Sequence, residues 1–350
     1  MAYNVLILGA SYGSLLGTKL LMAGHDVTLV CRQSTADVIN ADGTEVRIKL
    51  RGEAEHRAFR SGDLPGRLDA AAPGSVKVDD YDMVALAMSE PQYGSEDIRA
   101  LLRRVAAAEL PCLSIMNMPP LPFLARIEGL DAKLLEPCFA APEIWAQFKP
   151  GLVSLCSPDP QAFRPPEEKN NVLHVGLPTN FKAAPFADDA HNAMLREMAE
   201  GIEALRVDGQ DVPVKLRVHD SLFVPFAKWA MLLTGNYRAV LPVGSQPIRE
   251  AVHGDLDLSR RIYELVNQIV VKLGAAESDL VPFEKYAKAA EGLLKPSSAA
   301  RAIDAGSAQI ERVDLLVKLI ADQIGMGSPL LDETVARVNA RLAENQREAA

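Results

Sequence analysis

The sequence predicts an α/β fold: a doubly wound parallel sheet in the first half, followed by an all-helical second half. Three observations carry this. Short apolar runs without polar alternation recur in the first half, as at Val5–Leu8 and Asp82–Met88, which suits strands buried on both faces. They alternate with amphipathic stretches of helix length. From about Asp211 onward the pattern changes, and apolar residues recur three and four apart.

The elements follow in order. "VLIL" (5–8) is the first strand. A helix runs from Ser14 to Ala23 and is ended by Gly24. "DVTLVCR" (26–32) is the second strand, "DMVALAM" (82–88) and "CLSIMN" (112–117) are two more, and "SEDIRALLRRVAAA" lies between them as a helix. Between Gly151 and Phe186, "GLVSLCS" and "NVLHVGL" alternate more and flank the Pro-rich, charged "SPDPQAFRPPEEKNN". This reads as an antiparallel edge carrying an exposed insertion. "SLFVPFAKWAMLLTGNYRAVL", "LSRRIYELVNQIVVKLG", "DLVPFEKYAKAAEGLL" and "SAQIERVDLLVKLIADQIG" read as helices, and the polar tail "ARLAENQREAA" is expected to fray. With 350 residues, two ordinary domains are expected, at 1–212 and 213–350.

Composition narrows the class. An excess of 46 acidic over 37 basic residues argues against nucleic acid as a partner. The four cysteines (Cys31, Cys112, Cys138, Cys156) form no C-x-x-C pair and read as reduced, mostly buried thiols. The six histidines show no metal-binding spacing, so no metal is expected. No basic, cleavable leader precedes "NVLILG", and no apolar run has the length of a membrane span. A cytoplasmic protein with no membrane partner is the expectation.

The first turn, "GASYGS" (9–14), approximates a dinucleotide fingerprint. Such a turn aims backbone N–H groups at a diphosphate from a helix N-terminus and needs small side chains nearby. Gly9 permits the tight turn, Gly13 admits the diphosphate, and Gly17 allows close helix–strand packing. Ser11 replaces the usual middle glycine and still offers a hydroxyl, Ser14 opens the helix, and Tyr12 is bulky enough to cover a cofactor. A glycine pattern alone is weak, but a strand precedes it, a helix follows, and a second strand ends roughly 20 residues on. The plain alternative is a sharp turn with no ligand. Arg32 ends that second strand where an acidic residue would accept from the ribose hydroxyls of NAD. An arginine instead binds a 2′-phosphate bidentately, so NADP(H) is the expected cofactor.

The stretch "GSLLGTKLLMAGHDVTLVCR" resembles the ketopantoate reductase family (2-dehydropantoate 2-reductases), and the resemblance runs in order through most of the chain. It implies a Rossmann domain followed by an all-α domain, as in the wider 6-phosphogluconate dehydrogenase-like group. The family's strand over the cofactor, followed by lysine and then glutamine, corresponds to "LAMSEPQ", with Met88 ending the strand, Ser89 at the lysine position and Gln92 retained. The "HNG" turn beside the nicotinamide corresponds to "MNMPP", which keeps Asn117.

The family's catalytic lysine opens a K-x-x-x-N-x-x-x-N helix. Here "KWAMLLTGN" supplies Lys228, Leu232 and Asn236, expected as one stripe on one helix face. Among Phe226, Trp229 and Leu232 the lysine would be partly desolvated and its pKa lowered. The alternative is a snorkelling surface lysine. The family's substrate serine falls on Ser297, unless Ser297 or Ser298 is only a helix N-cap. The family's glutamate falls on Gln309, or on Glu311 with a short gap. Family order also brings Glu143 and Trp145 near the substrate, Trp145 as a stacking surface or as a buried packing residue. Leucines at 232 and 294 favour a larger or more apolar substrate than ketopantoate.

The resemblance therefore implies an NADPH-dependent reductase of a 2-oxo acid or related ketone, with Lys228, Asn236 and Asn117 as the catalytic set. True ketopantoate reduction and a non-catalytic NADP(H) sensor are the alternatives. Family members occur as monomers and as dimers, so a homodimer is one of the two states implied.

Overall fold

The computed structural model describes residues 1–349. The chain divides into two compact units, 1–88 with 92–123 and 143–220, and 89–91 with 124–142 and 221–350. Each is described separately.

The first unit holds strands β1 (Asn4–Leu8), β2 (Asp26–Val30), β3 (Glu45–Ile48), β4 (Arg57–Arg60), β5 (Leu68–Ala71), β6 (Met83–Leu86), β7 (Cys112–Ile115), β8 (Val153–Ser157), β9 (Gln161–Phe163), β10 (Val172–Leu177), β11 (Phe181–Ala183), the short hairpin β12 (Arg206–Val207) and β13 (Gln210–Asp211), and β14 (Leu216–Val218). The main sheet has the order β14-β11-β8-β7-β6-β1-β2-β5. From β5 to β8 every pairing is parallel. β1 and β6 are buried almost end to end, as their unbroken apolar runs require.

The chain leaves β1 toward β2 and returns to the other side of β1 with β6, so the strand order reverses between these two. Open α/β sheets bind ligands at such a point. Helices α1 (Gly13–Met22), α2 (Gln33–Asp42) and α3 (Glu96–Ala107) form the crossovers, α4 (Leu121–Leu124) and α5 (Pro142–Trp145) are single turns, and α6 (Asp189–Glu203) packs on α1 and β14.

Two features differ from expectation. The "GLVSLCS" strand β8 is not antiparallel: it extends the parallel run beside β7, and only β11 runs antiparallel to it. "NVLHVGL" belongs to a separate four-stranded sheet, β4-β3-β10-β9. There Glu45 pairs with Arg60 across neighbouring strands, and Arg47 holds Glu168. The other three strands of this sheet, β3, β4 and β9, have no apolar run to announce them.

One buried cation stands out in this unit. Lys19 of α1 is 1% exposed, and its Nζ donates to the carbonyls of Pro213 (2.9 Å) and Val212 (3.5 Å). Between them and buried Lys215 sits Val214 at φ 65°, a left-handed conformation costly for a β-branched residue. Burial first, and the Lys215 charge second, bring the Lys19 ammonium from its ordinary 10.5 down to about 7, against the opposing fields of Asp211 and Glu203. The unfolded chain then binds more protons than the folded one between pH 7 and 10.5. The cost of charging buried Lys19 is complete below pH 7 and fades as pH rises. Stability should therefore climb from pH 7 to 9 relative to Lys19→Met, by up to about 1.4 kcal/mol per unit. Urea unfolding of both proteins at several pH values checks this, and parallel curves would contradict it.

The second unit is helical. It contains α7 (Ala227–Met231), α8 (Ile248–His253), α9 (Leu256–Lys272), α10 (Phe283–Ala290), α11 (Ser298–Asp304), α12 (Val313–Gln323) and α13 (Pro329–Ala349). α9 packs against α7, α8, α10 and α12, with Tyr263 stacked on Tyr286 and edge-on to Phe283. The polar tail does not fray through residue 349. It belongs to α13, where Leu342 is buried and the Asn345 amide donates to the carbonyls of Ile303 and Ser307. Among the described residues no helix is long and apolar enough to cross a membrane.

Candidate functional site

In the first unit the residues gather at the carboxyl ends of β1, β2 and β6. Gly9 adopts φ +108°, and a Cβ there would lie 2.7 Å from the Ala87 carbonyl and 2.8 Å from the Met88 side chain. Only glycine lets the turn after β1 pass the end of β6. Gly13 has a different role from the one its spacing suggests. Its Cβ would lie 2.6 Å from Ile7, and that of Gly17 3.4 Å from Val27, so both allow α1 to lie on the sheet. The small exposed residue at the turn is Ser11. The amides of Ser11, Tyr12 and Gly13 donate to no backbone carbonyl among the described residues, and they precede a ten-residue helix. Ser14 caps back onto the Ala10 carbonyl. Small side chains, unpaired amides and a helix N-terminus fit a dinucleotide diphosphate.

Tyr12 is anchored to the protein itself. Its hydroxyl donates to the Pro160 carbonyl at 2.6 Å, and its ring meets Phe181 edge-on at 5.8 Å. Burial raises its pKa well above the ordinary tyrosine range. Arg32 is the N-cap residue of α2, directly beyond β2 and Cys31. The electrostatic neighbours of Arg164, the residue after β9, are Cys31 and Arg32. Among the described residues no salt bridge joins either arginine to a carboxylate. Arg164 has no signal in the sequence, because an arginine inside a charged insertion looks like solvated surface.

Further along the sheet, Met88 is partly buried and its N–H donates to the Tyr93 hydroxyl at 3.1 Å. Gln92 is exposed on the turn after β6, and Asn117 is partly buried at the bend after β7. Trp145 is fully buried, edge-on to Tyr93 at 5.3 Å. It is a core side chain of this unit and not a stacking surface. Glu143 is exposed and pairs with Arg99 at 3.2 Å.

In the second unit, Lys228 is partly buried on α7, beside buried Phe226 and Trp229, whose rings stack at 4.0 Å. The lysine does not stand on a regular helix. α7 passes into a π turn at Leu232–Asn236, marked by the bond from the Tyr237 N–H to the Leu232 carbonyl at 2.9 Å. The Met231 carbonyl accepts instead from the Tyr286 hydroxyl at 3.0 Å. A Cβ on Gly235 would collide with that hydroxyl and lie 2.9 Å from Ile248. Tyr286 thus takes a helix hydrogen bond that only a glycine lets it reach.

In an uninterrupted helix Asn236 would stand about 80° around the axis from Lys228, and one extra residue in the turn reduces this to about 20°. The extra residue brings lysine and asparagine into closer alignment. Leu232 is buried.

Ser297 is the N-cap of α11. Its Oγ accepts from the Ala300 N–H at 3.0 Å and donates to the Asn236 carbonyl at 2.7 Å. The cap role is the one the structure contains, and through it Ser297 fixes the end of the π turn. Gln309 is exposed. Glu311 is partly buried, and its Oε1 accepts from the Glu90 N–H at 3.3 Å. The buried Glu90 carboxylate accepts from the Ala140 N–H at 3.0 and 3.2 Å. Tyr237, buried under Glu311, donates to its carbonyl at 2.6 Å and accepts from the Val313 N–H. Of the two positions left open by spacing, Glu311 is the one held by hydrogen bonds, from the Glu90 N–H and the Tyr237 hydroxyl. Glu90 carries no sequence signal, and its segment, Ser89–Pro91, clusters with the helical unit.

No family model and no curated protein sequence matches the chain. Solved structures do. A D-mandelate dehydrogenase with NADH and anilino(oxo)acetate aligns with a TM-score of 0.66 at 13% identity, over 98% of this chain and 99% of that one. A putative ketopantoate reductase from Ralstonia solanacearum MolK2 aligns at 0.67 and 15%, over 99% of both. A probable 2-dehydropantoate 2-reductase from Bacillus subtilis aligns at 0.63 and 15%, over 97% and 99%. The chain has the ketopantoate reductase fold from end to end.

Proposed function

We propose that this chain is an NADPH-dependent oxidoreductase that reduces the carbonyl of a 2-oxo acid, bulkier or more apolar than ketopantoate, to the alcohol. The observation that carries the reading is the pairing of two things: a glycine turn at the β1/β6 reversal whose donors suit a dinucleotide, and Lys228 with Asn236 on the helix of the second unit. The similar structures are a D-mandelate dehydrogenase solved with NADH and anilino(oxo)acetate, a probable 2-dehydropantoate 2-reductase and a putative ketopantoate reductase, which supports a 2-oxo acid as substrate.

Ser11 and the first amides of α1 hold the diphosphate, and Arg32 holds the 2′-phosphate. Gln92 and Asn117, on loops at the carboxyl ends of the strands, orient the nicotinamide end. When bound, the reduced nicotinamide supplies hydride to the carbonyl carbon. Lys228 gives its proton to the carbonyl oxygen as charge develops there, and Asn236 keeps the lysine and substrate oriented. Glu311 and Glu90 supply the carboxylate environment of the second unit. Buried Leu232, where a smaller-substrate enzyme would place a polar group, favours the larger acid.

The test is NADPH oxidation, followed by near-ultraviolet absorbance, with ketopantoate and with a panel of branched and aromatic 2-oxo acids. Turnover of the bulkier acids in preference to ketopantoate is expected. Preference for ketopantoate would overturn the substrate assignment, and coenzyme binding without turnover of any acid would overturn catalysis.

A further inference from the structure

Strand β9 brings a second arginine to the adenosine end of the proposed coenzyme site. Its approach is fixed at both ends. Pro160, just before β9, accepts the Tyr12 hydroxyl from the glycine turn. Phe163, its last residue, stacks on His174 of β10 at 5.3 Å and 5°. Arg164 follows at once and leads into Pro165–Pro166, which limit the backbone there.

Arg164 is partly buried and Arg32 is exposed, and Cys31 feels the fields of both. The acidic group that acts on Cys31 is Asp37, whose carboxylate accepts from Gln33 at 2.7 Å. Burial, opposed by Cys31 and reinforced by Arg32, holds the Arg164 guanidinium below its ordinary range. Two guanidiniums within electrostatic reach of each other and without a bridging carboxylate repel, and a dianion bound by both would relieve that repulsion while satisfying both forks.

We infer that Arg164 and Arg32 form a two-arginine clamp on the coenzyme's 2′-phosphate, and that Arg164, delivered by the β8–β10 insertion, sets the preference for NADPH over NADH. The inference rests on the dinucleotide reading of the glycine turn. Tyr12 is a positioning residue in it, tying the insertion to that turn.

The experiment is coenzyme titration of the full chain by intrinsic fluorescence, with NADPH, NADH, 2′-AMP and 5′-AMP, for wild type, Arg164→Gln and Arg164→Lys. Arg164→Gln should weaken NADPH and 2′-AMP at least about tenfold and leave NADH and 5′-AMP unchanged. Arg164→Lys should recover part of the loss, because it keeps the charge and lacks the fork. Unaltered NADPH affinity in Arg164→Gln overturns the clamp while leaving the coenzyme reading intact. Equal losses for NADPH and NADH also overturn it, and make Arg164 a support of strand β9. Wild-type protein that binds neither dinucleotide removes the coenzyme reading and the clamp with it.

Discussion

Lys228→Ala is expected to lower kcat for the preferred 2-oxo acid by roughly 10²–10⁴-fold, the usual contribution of a positioned proton donor, with NADPH affinity within error of wild type. The split follows from the organisation of the chain. The groups proposed to hold the coenzyme lie in 1–88, 92–123 and 143–220, whereas Lys228 belongs to the helical unit. Removing it deletes a group that acts when charge develops on the substrate oxygen, not one that binds dinucleotide. The neighbours Phe226 and Trp229 are buried and stacked, so α7 should keep its packing when a partly exposed side chain is shortened. Steady-state kinetics beside NADPH titration makes the measurement. A variant with undiminished kcat would exclude lysine from the chemistry, and one that lost NADPH binding in parallel would place it in coenzyme binding.

Gly9→Ala should be the most damaging single methyl group in the first unit. The backbone there sits at φ +108°, and the added carbon would meet the Ala87 carbonyl and the Met88 side chain. Strained backbone costs about 1–3 kcal/mol and overpacking about another 1–3 kcal/mol. A stability loss of about 2–6 kcal/mol follows, together with loss of measurable NADPH binding, because the same turn presents the amides of Ser11, Tyr12 and Gly13. Urea unfolding and coenzyme titration report the two effects separately. Wild-type behaviour in both would mean that the turn is neither tight nor a phosphate site.

How much of this was legible in the sequence depended on what each element buries. β1, β6 and β7 bury both faces and so show as unbroken apolar runs. Their order, with a glycine turn after the first, is enough to locate the sheet reversal. β3, β4 and β9 are short, and their sheet is held partly by Glu45, Arg47, Arg60 and Glu168, and charge of that kind reads as loop. β8 alternates Ser with apolar residues yet is buried throughout, because Ser114 and Ser154 donate to carbonyls at 2.8 and 2.6 Å. Local alternation therefore pointed to an edge where tertiary hydrogen bonding had built an interior strand.

Of the residues proposed for the site, Gly9, Ser11 and Arg32 follow from spacing and context, and Lys228 follows from the family resemblance. Arg164, Glu90 and Tyr286 follow from neither, since each acts through a partner distant in sequence. Trp145 is a position the sequence left open between stacking and packing, and it is held in the core by Tyr93 and Phe148.

The wide turn at Leu232–Asn236 also bears on descent. A π turn fits one more residue into its turn than an α-helix does. Its retention couples three otherwise unrelated positions: Gly235 must stay small, Tyr286 must keep its hydroxyl, and Asn236 keeps its bearing on Lys228 only while the surplus residue remains. Lineages of this protein should gain or lose the three together, and a homologue one residue shorter here should carry its amide at the position before, with no tyrosine opposite.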